Sequence, residues 1–152
     1  MRLLILALLF SMFASFKIPG SGTAHLTCKS ESGRTIFNAE LQDIDGLLEK
    51  AELIVDNKKV TFDENDEAHT IFDAQTGVFT VYISGQSNND FPNGRFIQFW
   101  AIPKSFKILN SDRASQKYEF KAKIEGTEPR KGEHRYLRIP QVELTCVLEY
   151  KI

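Results

Sequence analysis

Cysteine, methionine and tryptophan are scarce in this chain, with two, two and one among 152 residues. The two cysteines, Cys28 and Cys146, form no CxxC spacing, so neither a thioredoxin-like redox site nor a zinc knuckle is supported. An excess of one charge is also missing. Nineteen Lys and Arg against 20 Asp and Glu leave a formal charge of -1, without the electrostatic footprint of a protein that wraps nucleic acid. Beyond the amino-terminal segment no apolar run approaches the roughly 20 residues a spanning helix needs. There is no GxSxG elbow, HExxH, Walker loop or GxGxxG, so the common hydrolytic, zinc and nucleotide-using enzyme classes have left no local mark. The chain reads as non-catalytic, with no cofactor and no metal. With 42% hydrophobic and 26% charged residues it is long enough for one domain with a real core and short for two.

What is present begins with an export signal. Met1 and Arg2 precede the apolar stretch from Leu3 to Phe10, which continues through Met12, Phe13, Ala14 and Phe16 until Lys17. A short positive end followed by an apolar core is the layout of a signal peptide, and an N-terminal membrane anchor is the alternative. Gly22 and Ala24 supply small side chains two residues apart, which places cleavage after Ala24 and divides the chain into a signal peptide, 1–24, and one domain, 25–152. Cys28 lacks the small residue that a lipoprotein signal places just before its cysteine, which argues against a lipid anchor. The expected location is periplasmic or secreted. The absence of any N-x-S/T sequence after residue 24 leans toward a bacterial envelope.

In such an oxidising compartment an even pair of cysteines reads as one disulfide, Cys28 to Cys146. The rest of the pattern has period two. Val142, Leu144, Cys146, Leu148 and Tyr150 alternate with mostly polar positions, Val147 excepted, as do Tyr118, Phe120, Ala122 and Ile124; Phe79, Val81 and Ile83; and Phe37, Ala39 and Leu41. Asp56-Asn57-Lys58 marks a hairpin turn, and Gln75-Thr76-Gly77 and Pro92-Asn93-Gly94 mark two more. The run Phe96 to Ile102 is nearly continuous and predicts a strand buried on both faces or bordered by another layer. One or two helical turns are expected around Leu41, Ile44, Leu47, Leu48 and Ala51. The sum is an all-β domain, an antiparallel sandwich or small barrel of about eight or nine strands.

Four features are candidates for function. Residues 25–94 hold 5 basic and 13 acidic side chains and residues 95–152 hold 12 and 7, nets of -8 and +5. Within the second half Arg130, Lys131, His134, Arg135 and Arg138 gather in a proline- and glycine-bearing segment that reads as a long loop before the last strand. Arg130, Lys131, Arg135 and Arg138 are the candidate partner-binding residues, for a protein or an anionic glycan or lipid. Mixing of the two halves in the fold is the plainer account of the asymmetry. The acidic stretch Asp63 to Glu67 has calcium-type oxygens but lacks the loop glycine and the closing glutamate, so it reads as a solvated loop between Phe62 and Ile71. Phe99 and Trp100, a conceivable stacking platform, read as core. If cleavage exposes His25, its amine and imidazole resemble the histidine brace of copper-dependent polysaccharide oxygenases and some periplasmic copper carriers. That resemblance implies a third nitrogen from His69 or His134, whereas an ordinary exposed terminal histidine is the simpler reading.

In size, export and the placement of cysteines near both ends, the chain is also similar to the periplasmic inhibitors of c-type lysozyme, which are small antiparallel barrels. Ser32-Gly33-Arg34 falls just after the first cysteine rather than in a central loop, so no functional residue carries over. The expectation is an exported, non-catalytic binding module. Its alternatives are a lysozyme-inhibitor-like protein, an N-terminal copper protein and a structural envelope component, with the oligomeric state left open.

Overall fold

Alternation dictates the architecture. In β1 (Thr23–Lys29) Ala24, Leu26 and Cys28 are buried while His25, Thr27 and Lys29 are exposed, as expected when successive side chains point to opposite faces of a pleated strand. The other strands are β2 (Thr35–Leu41), β3 (Leu48–Val55), β4 (Lys58–Asp63), β5 (Glu67–Asp73), β6 (Val78–Gly85), β7 (Arg95–Ala101), β8 (Lys107–Ser111), β9 (Ser115–Pro129) and β10 (Tyr136–Lys151), and the alternation recurs most clearly in β2 and β6. The structure is a computed structural model that describes residues 22–42, 48–63, 65–85, 95–112, 114–129 and 136–151.

All pairings are antiparallel, in the order β4-β3-β2-β1-β10-β9-β7-β6-β5, and the single sheet curls into a half-barrel. β8 continues beyond β7 along the same side of β9: Ala101 stands opposite Ala122 and Lys107 opposite Glu119. β1 lies against β10, so the first and last strands meet in the middle of the sheet. Cys28 stands directly opposite Cys146 there, and the two are joined as a disulfide with both residues fully buried. The bridge thus links neighbouring strands.

The concave side is filled with apolar side chains. Phe99 is the hub, with ring centroids 5.4 Å from Phe37, 5.6 Å from Phe79 and 6.3 Å from Phe120. Phe106, from the bend between β7 and β8, stacks on Phe120 at 4.4 Å. Each such ring contributes about 1.5–3 kcal/mol by leaving water. Where β9 approaches β7 there is no room for a side chain: a Cβ on Gly126 would lie 2.5 Å from the Phe96 carbonyl oxygen. The pairing of β9 with β10 shifts by one residue between Ile139 and Val142, a bulge that accommodates Pro140, which has no N–H to give the ladder.

Three expectations need correction. Among the described residues there are ten strands rather than eight or nine. β5 occupies part of the expected loop between Phe62 and Ile71, because its inward residues Ala68 and Thr70 are small or polar and Ile71 points outward, which blurs the alternation. β8 is exposed along its whole length and so carries no buried face to read. The helix is not found among the described residues: Leu41 ends β2, Leu48 and Ala51 belong to β3, and residues 43–47 lie outside the described residues. The turn at Asp56-Asn57 is as expected, with φ of 50° and 66° at its two central residues, the primed geometry of a tight hairpin. Gly77, at φ 71°, closes the β5–β6 turn. The Pro92-Asn93-Gly94 signal and the signal-peptide core fall outside the described residues.

Candidate binding surface

β7 does not bury both faces. Ile97, Phe99 and Ala101 point into the core, while Phe96, Gln98 and Trp100 point outward, with Gln98 exposed and the two rings half-buried. Among the described residues no second layer covers that side. The core assignment therefore suits Phe99 and fails for Trp100, because a period of two puts adjacent residues on opposite faces.

The neighbouring strands extend the outward row. Thr80 on β6 stands opposite Trp100, and Ile71 on β5 opposite Thr80. Tyr82 stands between His69 on β5 and Gln98 on β7, and Ser84 between Glu67 and Phe96. The Tyr82 and Phe96 rings lie at 6.3 Å with only 23° between their planes. Ile71 is 64% exposed and Tyr82 38%. The centre of the face, Thr80, Tyr82, Phe96, Gln98 and Trp100, holds no charge. Its margins do: Glu67 and His69 pair at 3.1 Å on one flank, and on the other Lys123 stands opposite Trp100 and Glu125 opposite Gln98. Nearby on the β9–β10 margin, Lys121 Nζ donates to Glu143 Oε1 at 2.9 Å, which holds the Lys121 ammonium above its ordinary range.

Of the basic candidates, Arg130, Lys131 and Arg135 lie outside the described residues, as does His134. Arg138 belongs to β10 rather than to a loop, because β9 runs to Pro129 and β10 starts at Tyr136. By backbone register Arg138 is the partner of Thr127, and Thr127 of Phe96. Among the described residues the close ion pairs stay within the halves, although Glu31 of the acidic half also helps to raise Lys121 of the basic half. Arg34 with Asp56, Lys50 with Glu40 and Lys59 with Glu52 stay in the acidic half, and Lys107 with Glu119, Lys117 with Glu149 and Lys121 with Glu143 in the basic half.

Two depressions lie on the other limb of the sheet. One of about 290 Å³ crosses the outer face of β1 to β4 between the Thr27, Asn38, Glu52, Thr61 row and the His25, Glu40, Lys50, Asp63 row. Glu40 is engaged by Lys50 at 2.9 Å and by His25 at 3.8 Å. The other, about 350 Å³, lies between the β1–β2 and β3–β4 turns, where Arg34 Nε donates to Asp56 Oδ1 at 2.6 Å. Ser32-Gly33-Arg34 forms part of it, with Gly33 at φ 71°. His25 is on β1 and His69 on β5, strands at the centre and the edge of the sheet. Among the described residues no three His, Cys, Asp or Glu side chains are grouped to hold a metal. The acidic stretch is divided between the end of β4, a turn in which Asp66 Oδ2 accepts from the Asp63 amide at 3.0 Å, and the start of β5.

The sequence did carry a signal for the outer face. Tyr82 alternates with Val81 and Ile83, and the same count applied to Phe96, Gln98 and Trp100 separates them from Ile97, Phe99 and Ala101. The density of apolar residues in β7 hid it. No family model, curated protein or solved structure matches the chain.

Proposed function

We propose that the chain is an exported, non-catalytic binding module whose partner is a protein that docks on the outer face of β5, β6 and β7. The observation that carries this reading is the uncharged patch of Ile71, Tyr82, Phe96 and Trp100 on the convex side of a sheet whose concave side is already filled. An aromatic, charge-poor centre with a charged rim is the anatomy of a protein interface, and Tyr and Trp are enriched in its energetic core. Arg138, in the Phe96 row, together with Arg130, Lys131 and Arg135, would steer a partner with an acidic rim. The similarity in size and cysteine placement to inhibitors of c-type lysozyme makes lysozyme the first protein to try.

The test is position-dependent cross-linking. A photo-reactive residue replaces Gln98, at the centre of the face, or Thr27, on the outer face of β1, in the exporting cell. A single heterologous adduct from position 98 and none from position 27 supports the reading. Equal labelling from both, no adduct from either, or an adduct of two copies of this chain overturns it.

A further inference from the structure

The start of β1 constrains where the leader is removed. Gly22 is the residue just before β1, which begins at Thr23. Thr23 pairs with Lys151, and Ala24 pairs with Tyr150 on one side and Leu41 on the other. Ala24 is 0% exposed and belongs to the core. Signal peptidase reads small side chains at the residue before the cut and two residues further upstream. A cut after Ala24 satisfies that rule with Gly22 and Ala24. It also removes the first two residues of β1, empties the core position between Leu41 and Tyr150, and leaves an ammonium on His25, which is paired on both sides, with Glu149 and Glu40.

The Gly22–Thr23 bond meets the same requirement, with Gly20 and Gly22 as the small residues, and leaves β1 whole. We propose that the exported chain is cut at the Gly22–Thr23 bond, so that the mature protein begins at Thr23. The step is peptide hydrolysis: water adds across the amide, leaving a carboxylate on Gly22 and an ammonium on Thr23. His25 is then the third residue, its α-nitrogen is an amide, and a brace built on a terminal histidine cannot form. This inference rests on the export part of the reading above and is independent of what the mature protein binds.

The experiment is intact-mass analysis and amino-terminal sequencing of the protein recovered after export of the full 152-residue chain. The expected start is Thr23. A start at His25, or at any other residue, overturns the assigned bond, and a chain that keeps its leader overturns the export reading with it. A second measurement compares chains made to begin at Thr23 and at His25. The shorter one should melt at least about 4 °C lower, given how steeply midpoints of domains this size follow lost contacts. Equal midpoints would remove the structural argument for the site.

Discussion

Loss of the disulfide is the perturbation whose size follows most directly from the structure. Cys28 and Cys146 are 118 residues apart in sequence and stand opposite each other where β1 meets β10. Closing a loop of that length lowers the entropy of the unfolded chain by an amount worth about 5 kcal/mol at 25 °C. Domains of this kind have about 5–15 kcal/mol in total, so the bridge is a large fraction of the whole. An unfolding entropy of about 2 cal/mol/K per residue over roughly 130 residues converts that loss into a midpoint about 19 °C lower. The assay is thermal unfolding followed by far-ultraviolet circular dichroism, on the oxidised protein, on the protein reduced while unfolded and melted in reductant, and on Cys28→Ala/Cys146→Ala. The reduced chain keeps both sulfurs in the core, so its shift reports loop closure, whereas the alanine pair adds a small packing loss. A reduced protein that melts within about 3 °C of the oxidised one would refute the reasoning. The ladder between β1 and β10 would then hold the two limbs of the sheet together unaided.

Adjacent residues of β7 should behave oppositely. Phe99→Ala, at the hub of the core, should cost about 3–5 kcal/mol, while Trp100→Ala should cost about 1 kcal/mol or less, both read from urea midpoints. Asp112 accepts from Asn110 Nδ2 and from the Ala114 and Ser115 amides, and Asp73 from the Thr76 hydroxyl, the Thr76 amide and the Gln75 amide; these bonds hold both carboxyls below the usual range. Their folded-state pKa values lie below the unfolded ones, so the stabilisation is complete above about pH 4 and is lost as the pH falls through the folded values. Asp112→Asn should make the acid loss of stability shallower in urea titrations between pH 5 and 2. An unchanged acid limb would contradict that assignment. Neutralising Arg130, Lys131, Arg135 and Arg138 together should weaken partner binding and flatten its dependence on salt, measured by calorimetry at two ionic strengths. Binding that is unaltered would exclude the basic residues from the interaction.

The fold was legible wherever one face is apolar and the other polar. β1, β2, β6, β9 and the second half of β10 announce themselves by alternation, and the Asp56-Asn57 turn by its residue types. β5 and β8 did not, because a strand at the edge of a curled sheet need not carry a clean apolar face. The extension of β10 back to Tyr136 was hidden by Pro140, which suggests a loop and is instead housed in a bulge. The outer aromatic face was obscured for the opposite reason: β7 is apolar on both sides, and only the register against Thr80, Tyr82 and Ser84 shows which side is solvent. The disulfide was legible from the even number of cysteines and the absence of a metal-ligand spacing, but its place between neighbouring strands depends on β1 closing against β10, a long-range pairing that no local pattern encodes.

Trp100 is the chain's one tryptophan and stands on the proposed interface, so its fluorescence reports that face alone. The most direct test is titration of the cross-linked partner into the mature protein while Trp100 emission and its quenching by acrylamide are followed. The account predicts a shift of the emission to shorter wavelength and protection from the quencher, saturating at the stoichiometry of binding. Binding shown by calorimetry with Trp100 emission and quenching unchanged would contradict it.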